Sequence, residues 1–274
     1  MEPAEVSAVC SGFHDLDRLT GGFQPGQLIF VASRYSMGKT ALALNIAEYM
    51  AISEHLPVAV FCLTSCTSGL KMRLASSISG ICLRDIQASH LSGEDWRDLN
   101  SANAVLQGSK LHIEGNLRIS VKQLFDRARW LADQHGKLGL IVVDDLQCTH
   151  FSARRGQALA SELRALSQGL KALAQEQRCP VVVPTQLGRA VELRRNKRPR
   201  LGDLRAGGKQ EQDADMIISI YRDDYYNAIA SPSPGIAEVS VVKHLNGNTG
   251  CAKLAFNKSL AKFENLTVSH QDSV

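Results

Sequence analysis

Three observations predict an α/β fold, a mostly parallel sheet flanked by helices. Short apolar runs alternate with longer helix-like stretches. A Gly-Lys-Thr loop lies between an apolar run and an Ala/Leu-rich stretch. A second apolar run ends in two aspartates, the place where ligands gather in open α/β sheets.

Taken in order, Gln27–Ala32 reads as a strand and Lys39–Ser53 as a helix. Val58–Leu63 is a strand and Gly69–Ser77 a helix. Glu94–Leu106 reads as helix and Lys110–Ile113 as a short strand. Val121–His135 is helical and Leu140–Val143 a strand. Leu159, Leu163, Leu166, Leu170, Leu173 and Ala174 recur at helical spacing, so Ala158–Gln177 is a helix. Pro180–Pro184 is the next strand. Met216–Tyr221, Ile236–Val242 and Cys251–Phe256 follow as strands. The turn-rich Asn246–Gly250 joins the last two as a late antiparallel hairpin at one edge. Trp96 and Trp130 fall in helical stretches and are expected in the core.

The chain has 274 residues, of which 44% are hydrophobic and 21% charged, ordinary proportions for a globular domain and too apolar for a disordered one. No apolar run approaches the ~18 residues that span a bilayer, so no membrane partner is expected. Seven scattered cysteines without a Cys-x-x-Cys pair argue against a disulfide framework and for a reducing cytoplasm. Met1–Cys10 has two glutamates and no Lys or Arg, unlike a secretory signal. No histidine shows metal-ligand spacing with cysteine or carboxylate.

Net charge is only +4, but Leu187–Gln210 alone carries +6. Its cations include Arg194, Arg195, Lys197, Arg198, Arg200, Arg205 and Lys209. One concentrated basic stretch on a nearly neutral body suits either an anionic partner such as nucleic acid or a solvated loop.

Ser36-Met37-Gly38-Lys39-Thr40 is the second half of a Walker A phosphate loop. Backbone N–H groups of such a loop and of the helix behind it face a β-phosphate. Gly38 lets the backbone approach, Lys39 reaches the β/γ-phosphates, and Thr40 helps hold Mg²⁺. Ser33 stands where the consensus has its first glycine. Asp144, at the end of Leu140–Val143, is placed as a Walker B aspartate contacting Mg²⁺ through water. ATP and Mg²⁺ are therefore the expected ligands.

Several ordered stretches resemble the C-terminal motor domain of the DnaB family of replicative helicases. They are Ser11–Asp17 with Gly22–Gly26, the Ser36–Thr40 loop, Leu140–Gln147, Gln186-Leu187 with Arg189, Lys197–Arg205, Glu211–Asp215 with Tyr221–Asn227, and Lys243–Gly250. The resemblance implies a RecA-like fold over residues 11–266, with short tails at 1–10 and 267–274. It implies a nucleotide site shared between subunits of a ring, usually a hexamer, around single-stranded DNA, with ATP hydrolysis driving unwinding. Lys39, Thr40 and Asp144 take the phosphate and metal roles, and Gln186 senses the γ-phosphate. Lys243 faces the neighbouring subunit's phosphates, and Arg194–Lys209 lines the channel, where contacts to the DNA backbone need cations rather than base-reading groups. Tyr225-Tyr226 is expected on the adenine side. The residues before Ser11 are too few for the family's N-terminal domain and linker helix, so assembly of the isolated chain is expected to be weak.

Three departures bear on chemistry. The family has a glutamate after the Val58–Leu63 strand to activate water, and Thr64 stands there instead. A threonine is no base at neutral pH, and losing a general base costs ~10²–10⁴-fold. The family's arginine finger is replaced by Leu245 in Lys243-His-Leu-Asn-Gly247, and such a finger is worth ~10³–10⁵ in rate. Asp145 replaces an aromatic after the Walker B aspartate, and Tyr35 replaces a proline in the loop. Binding residues are kept while hydrolysis residues are lost. The expectation is an ATP- and DNA-binding motor domain with weak or absent turnover. The alternative is a hydrolysis-deficient relative that regulates a helicase ring.

Overall fold

The computed structural model describes residues 8–63, 67–115, 121–144, 158–207 and 210–266. Nine strands form one sheet: β1 Leu28–Ser33, β2 Val58–Cys62, β3 Leu111–Gly115, β4 Leu140–Asp144, β5 Val181–Gln186, β6 Met216–Tyr221, β7 Ile236–His244, β8 Gly250–Asn257 and β9 Lys262–Asn265. Their spatial order is β3-β2-β4-β5-β1-β6-β7-β8-β9. The first six in that order pair in parallel, and β7, β8 and β9 are added in antiparallel fashion. This is the mostly parallel α/β sheet that the strand–helix alternation predicts.

Alternation along β1 assigns the two faces. Ile29 and Val31 meet α2 (Lys39–Ile52) through Leu42, Ile46 and Met50. Leu28 and Phe30 meet α6 (Val121–His135) and α7 (Ala158–Gln177) through Leu124, Ala128, Leu166, Leu170 and Leu173. Each fully buried Leu, Ile, Met or Phe contributes about 1.5–3 kcal/mol by leaving water. β1 is covered on both faces and flanked by β5 and β6, which fixes its C-terminal end as a rigid platform.

The remaining helices are α1 (His14–Thr20), α3 (Thr67–Ser79), α4 (Leu83–Ala88), α5 (Gly93–Gly108), α8 (Gln210–Asp213) and α9 (Asp223–Tyr226). No helix among the described residues is long and apolar enough to cross a membrane.

Three features differ from the sequence reading. The late hairpin is extended by β9, so three antiparallel strands rather than two complete that edge. Trp96 and Trp130 are not core residues: they are 49% and 44% exposed. On α6 the core face belongs to Leu124, Ala128 and Leu131, and the Arg127 guanidinium lies 4.0 Å from the Trp130 ring centroid. Finally, the β6–β7 register shifts between Ile217 and Ile218, leaving Val242 as an extra residue before Lys243. Such a bulge re-aims the side chains that follow it.

Candidate nucleotide and nucleic-acid site

The phosphate loop leaves the end of β1 at Ser33, which is fully buried and donates its hydroxyl to the Arg34 carbonyl at 2.9 Å. The Met37 N–H closes a turn on the same carbonyl at 3.4 Å. Ser36 takes a left-handed backbone, φ +59°. Gly38 caps α2 at φ +107°, a region that side chains rarely adopt. A Cβ on Gly38 would also fall 2.8 Å from Phe263 Cζ on β9. Phe263 is held there by its own N–H, which donates to Asn45 Oδ1 of α2 at 2.8 Å. The loop is thus backed by the last strand of the sheet, through Phe256 and Phe263 packed with ring centroids 4.4 Å apart.

Lys39 and Thr40 open α2. The Thr40 hydroxyl donates to Asp144 Oδ1 at 3.0 Å, and Asp144 is buried at the end of β4. Gln186 ends β5 in register with Ser33. Lys39, Thr40, Asp144 and Gln186 therefore converge at the C-terminal ends of neighbouring strands β1, β4 and β5, where an α/β sheet binds ligands. Thr40 and Asp144 offer hydroxyl and carboxylate oxygens, the hard donors that suit Mg²⁺. Thr64 and Asp145 lie outside the described residues.

Arg34 was not singled out by the sequence. It is 7% exposed, inside the loop itself. Its Nε donates to Glu192 Oε1 at 2.8 Å and its Nη1 to the Leu187 carbonyl at 2.6 Å. Glu192 belongs to the 3-10 turn Arg189–Leu193, at the head of the basic segment. A cation directly after the strand was the only local signal, and its partner is 158 residues away.

The basic segment is folded back on the body. Arg194 makes two hydrogen bonds to Asp203, at 3.0 and 2.8 Å, and a third to the Arg198 carbonyl at 2.9 Å. Arg198 grips Glu238 of β7 at 2.7 and 2.6 Å and lies over the Tyr221 ring. The Glu238 carboxylate raises the Arg198 pKa further. Burial, and then the hydrogen bond to Asp223, pushes the Tyr221 phenol up to about 12. Lys197 stands 4.5 Å from the Tyr226 ring centroid. Burial raises the Tyr226 phenol, with Glu192 adding to the shift. Arg195 and Arg200 are exposed. Arg205 falls in the 3-10 turn Leu201–Gly207, and Lys209 lies outside the described residues.

Lys243 is elsewhere. It is paired with Ile217 near the start of β6, at the opposite end of the sheet from the loop. Its ammonium donates to the carbonyls of Glu211 and Ala214 at 2.6 and 2.5 Å. Burial lowers its pKa, against the pull of Asp215, Glu211 and Asp213. Leu245, on the turn after β7, is 62% exposed. The level of Leu245 lies about five residues below Ser33, or roughly 17 Å along the strands. No single chain brings Lys243 or Leu245 to its own phosphate loop.

A family model described as the DnaB-like helicase C terminal domain matches residues 8–265. The chain belongs to that family. It is 40% identical over 262 residues to the replicative DNA helicase DnaB of Geobacillus stearothermophilus, covering 96% of this chain and 57% of the relative. It is 38% identical over 269 residues to the replicative DNA helicase DnaC of Bacillus subtilis, covering 98% of this chain and 59% of the relative. The domain thus spans less than three fifths of these relatives. Among solved structures, an isolated ATPase domain superposes with a TM-score of 0.89 at 33% identity, covering 97% of this chain and 94% of that one. A DnaB-like replicative helicase described with its primase interactions gives 0.88 at 33% identity, covering 97% and 65%. The DnaB-like domain here therefore has the RecA-like α/β architecture of those two structures.

Proposed function

We infer that this DnaB-like domain binds ATP with Mg²⁺ at the Ser33–Thr40 loop and single-stranded DNA along the basic segment, as the motor of a replicative helicase ring, and that its own ATP turnover is slow. The observation that carries the nucleotide part is the 3.0 Å contact between Thr40 and the buried Asp144, directly behind a loop with the left-handed Gly38. In this reading Thr40 and Asp144 hold Mg²⁺, Asp144 through water, and Lys39 faces the β/γ-phosphates. Met37, Ser36 and Ser33 shape the backbone cradle, and Gln186 reads the γ-phosphate beside Ser33. Bound Mg²⁺ neutralises charge that develops on the phosphoryl oxygens.

The position of Lys243 and Leu245 at the far end of the sheet supports a ring of copies, a hexamer in this family's usual form, in which each chain presents that end to its neighbour's nucleotide. There the finger position is Leu245, which cannot offset charge on a transferring phosphoryl group, and the water-activating position is Thr64. Leu245 also favours a second reading, a hydrolysis-deficient subunit that modulates a ring of active helicase.

Calorimetry with ATP·Mg²⁺, followed by phosphate release with and without single-stranded DNA, tests the proposal. Binding with little turnover is expected. Absence of ATP binding overturns the nucleotide assignment. Rapid DNA-stimulated turnover overturns the slow-hydrolysis reading and makes the domain an active motor.

A further inference from the structure

We propose that the Arg34–Glu192 ion pair is the strut by which nucleotide at the phosphate loop sets the shape of the basic segment. The inference rests on the ATP- and DNA-binding reading above.

Arg34 belongs to both regions at once. Its backbone carbonyl accepts from the Met37 N–H and the Ser33 hydroxyl, so it is the hinge post of the phosphate-loop turn. Its side chain leaves the loop and ends on Glu192 and the Leu187 carbonyl. Leu187 is itself tied to β1, its N–H donating to the Ser33 carbonyl at 2.9 Å. That bond fixes the backbone after Gln186 whatever the loop does. The contact to Glu192 is different, because it reaches the 3-10 turn through side chains alone.

Beyond Glu192 the connections are stiff. Val191, in the same turn, is buried, and the Arg194 N–H donates to its carbonyl. Arg194 then clamps Asp203 and the Arg198 carbonyl. Arg198 is fastened to Glu238. A displacement of Glu192 is therefore passed to the cations of the segment rather than absorbed by slack.

The two partners are unequal. The Arg34 side chain is 9% exposed and that of Glu192 38%. When the pair opens, Glu192 can turn to water, whereas Arg34 is held by the protein. The pair thus has two discrete states, joined and open, and wrapping of the loop around a phosphate selects between them by moving the Arg34 post. Arg34 and Glu192 are positioning residues in this account: neither needs to touch ATP or DNA.

Coupling between two sites is reciprocal, so ATP must change DNA affinity by the factor by which DNA changes ATP affinity. The test measures both factors in the full chain, using a non-hydrolysed ATP analogue with Mg²⁺ and a fluorescent oligo-dT strand. The unmodified chain is expected to give equal factors in the ~5–150-fold range. Glu192→Ala is expected to bind each ligand alone within about threefold of the unmodified chain, with the coupling factor falling to near one. Glu192→Gln, which keeps an acceptor for Arg34 Nε without the charge, is expected to recover part of it. Glu238→Gln loosens the outer end of the segment without touching the loop. It is expected to weaken DNA binding while leaving the coupling factor unchanged.

Coupling that survives Glu192→Ala overturns the strut, as does a coupling factor of one in the unmodified chain. A loss of coupling in Glu238→Gln equal to that in Glu192→Ala also overturns it, since the effect would then belong to general loosening. If the unmodified chain binds neither ligand, the function proposed above fails, and the strut falls with it.

Discussion

At the C-terminal ends of β1, β4 and β5, polar groups from three strands converge: Thr40 bonds Asp144, Gln186 stands beside Ser33, and Lys39 opens the helix between them. At the opposite end, Lys243 spends its donors on carbonyls of its own chain, and the neighbouring turn presents an exposed leucine. One end is arranged to hold a charged ligand, while the other puts an apolar side chain at the position where the family keeps its finger. The contrast teaches that holding a nucleotide and accelerating its hydrolysis rest on separate parts of the chain, so either can be kept without the other.

The largest expected effect joins the two ends. Thr64→Glu with Leu245→Arg should raise DNA-stimulated hydrolysis by ~10³-fold or more, since a base and a finger are each worth orders of magnitude. Either change alone should do far less, because both act in one transition state and their effects need not multiply. A double variant no faster than the unmodified chain under conditions that assemble rings would break the comparison.

Lys39→Ala should come next. Removing a charge-assisted contact to phosphate should weaken ATP·Mg²⁺ by ~10–100-fold in calorimetry, equivalent to about 1.4–2.8 kcal/mol. Equal affinity in the two proteins would remove the phosphate-loop assignment. Asp144→Asn should be milder for nucleotide alone but should raise the Mg²⁺ concentration needed for half-saturation.

How much of this was legible in the sequence follows physical lines. Strand β1, helix α2 and Asp144 are local patterns, and local patterns carry their own evidence: an apolar run, a glycine, a cation and a hydroxyl in consecutive positions. Strand β9 is four residues, Lys-Phe-Glu-Asn, with one apolar side chain. Its existence depends on backbone pairing with β8, which leaves no periodic mark. Trp130 was legible as helical but not as exposed, because a helix pattern does not say which large residue lies off the core stripe. The basic segment was legible as charge, yet charge does not reveal that Arg194 and Arg198 are engaged with Asp203 and Glu238.

That last point yields a smaller prediction. Arg195→Ala with Arg200→Ala should flatten the salt dependence of single-strand binding by about 1.4 in log–log slope, two phosphates' worth of counterion release. Arg194→Ala should instead lower thermal stability, since it leaves the largely buried Asp203 without its partner. Unchanged salt slope in the first variant would make the segment a solvated loop.

The smallest effect belongs to the far end. Lys243→Met strands two carbonyls, a loss of about 1–3 kcal/mol in stability for each buried acceptor left unmade. ATP affinity of the dissociated chain should not move, and thermal denaturation with and without ATP reads both quantities. A shift in that affinity would show the two ends to be linked within one molecule.

The contact of Phe263 with Gly38 sets an order in time. The phosphate loop leaves the ribosome early, but the strand that backs it is more than two hundred residues downstream. Until β9 has been made and its N–H has found Asn45, the floor under Gly38 is missing. A nascent chain that already displays the whole Gly-Lys-Thr sequence therefore has no finished nucleotide cradle. Ligand capture is postponed until almost the entire domain has been translated and folded, which keeps half-made chains from competing for ATP.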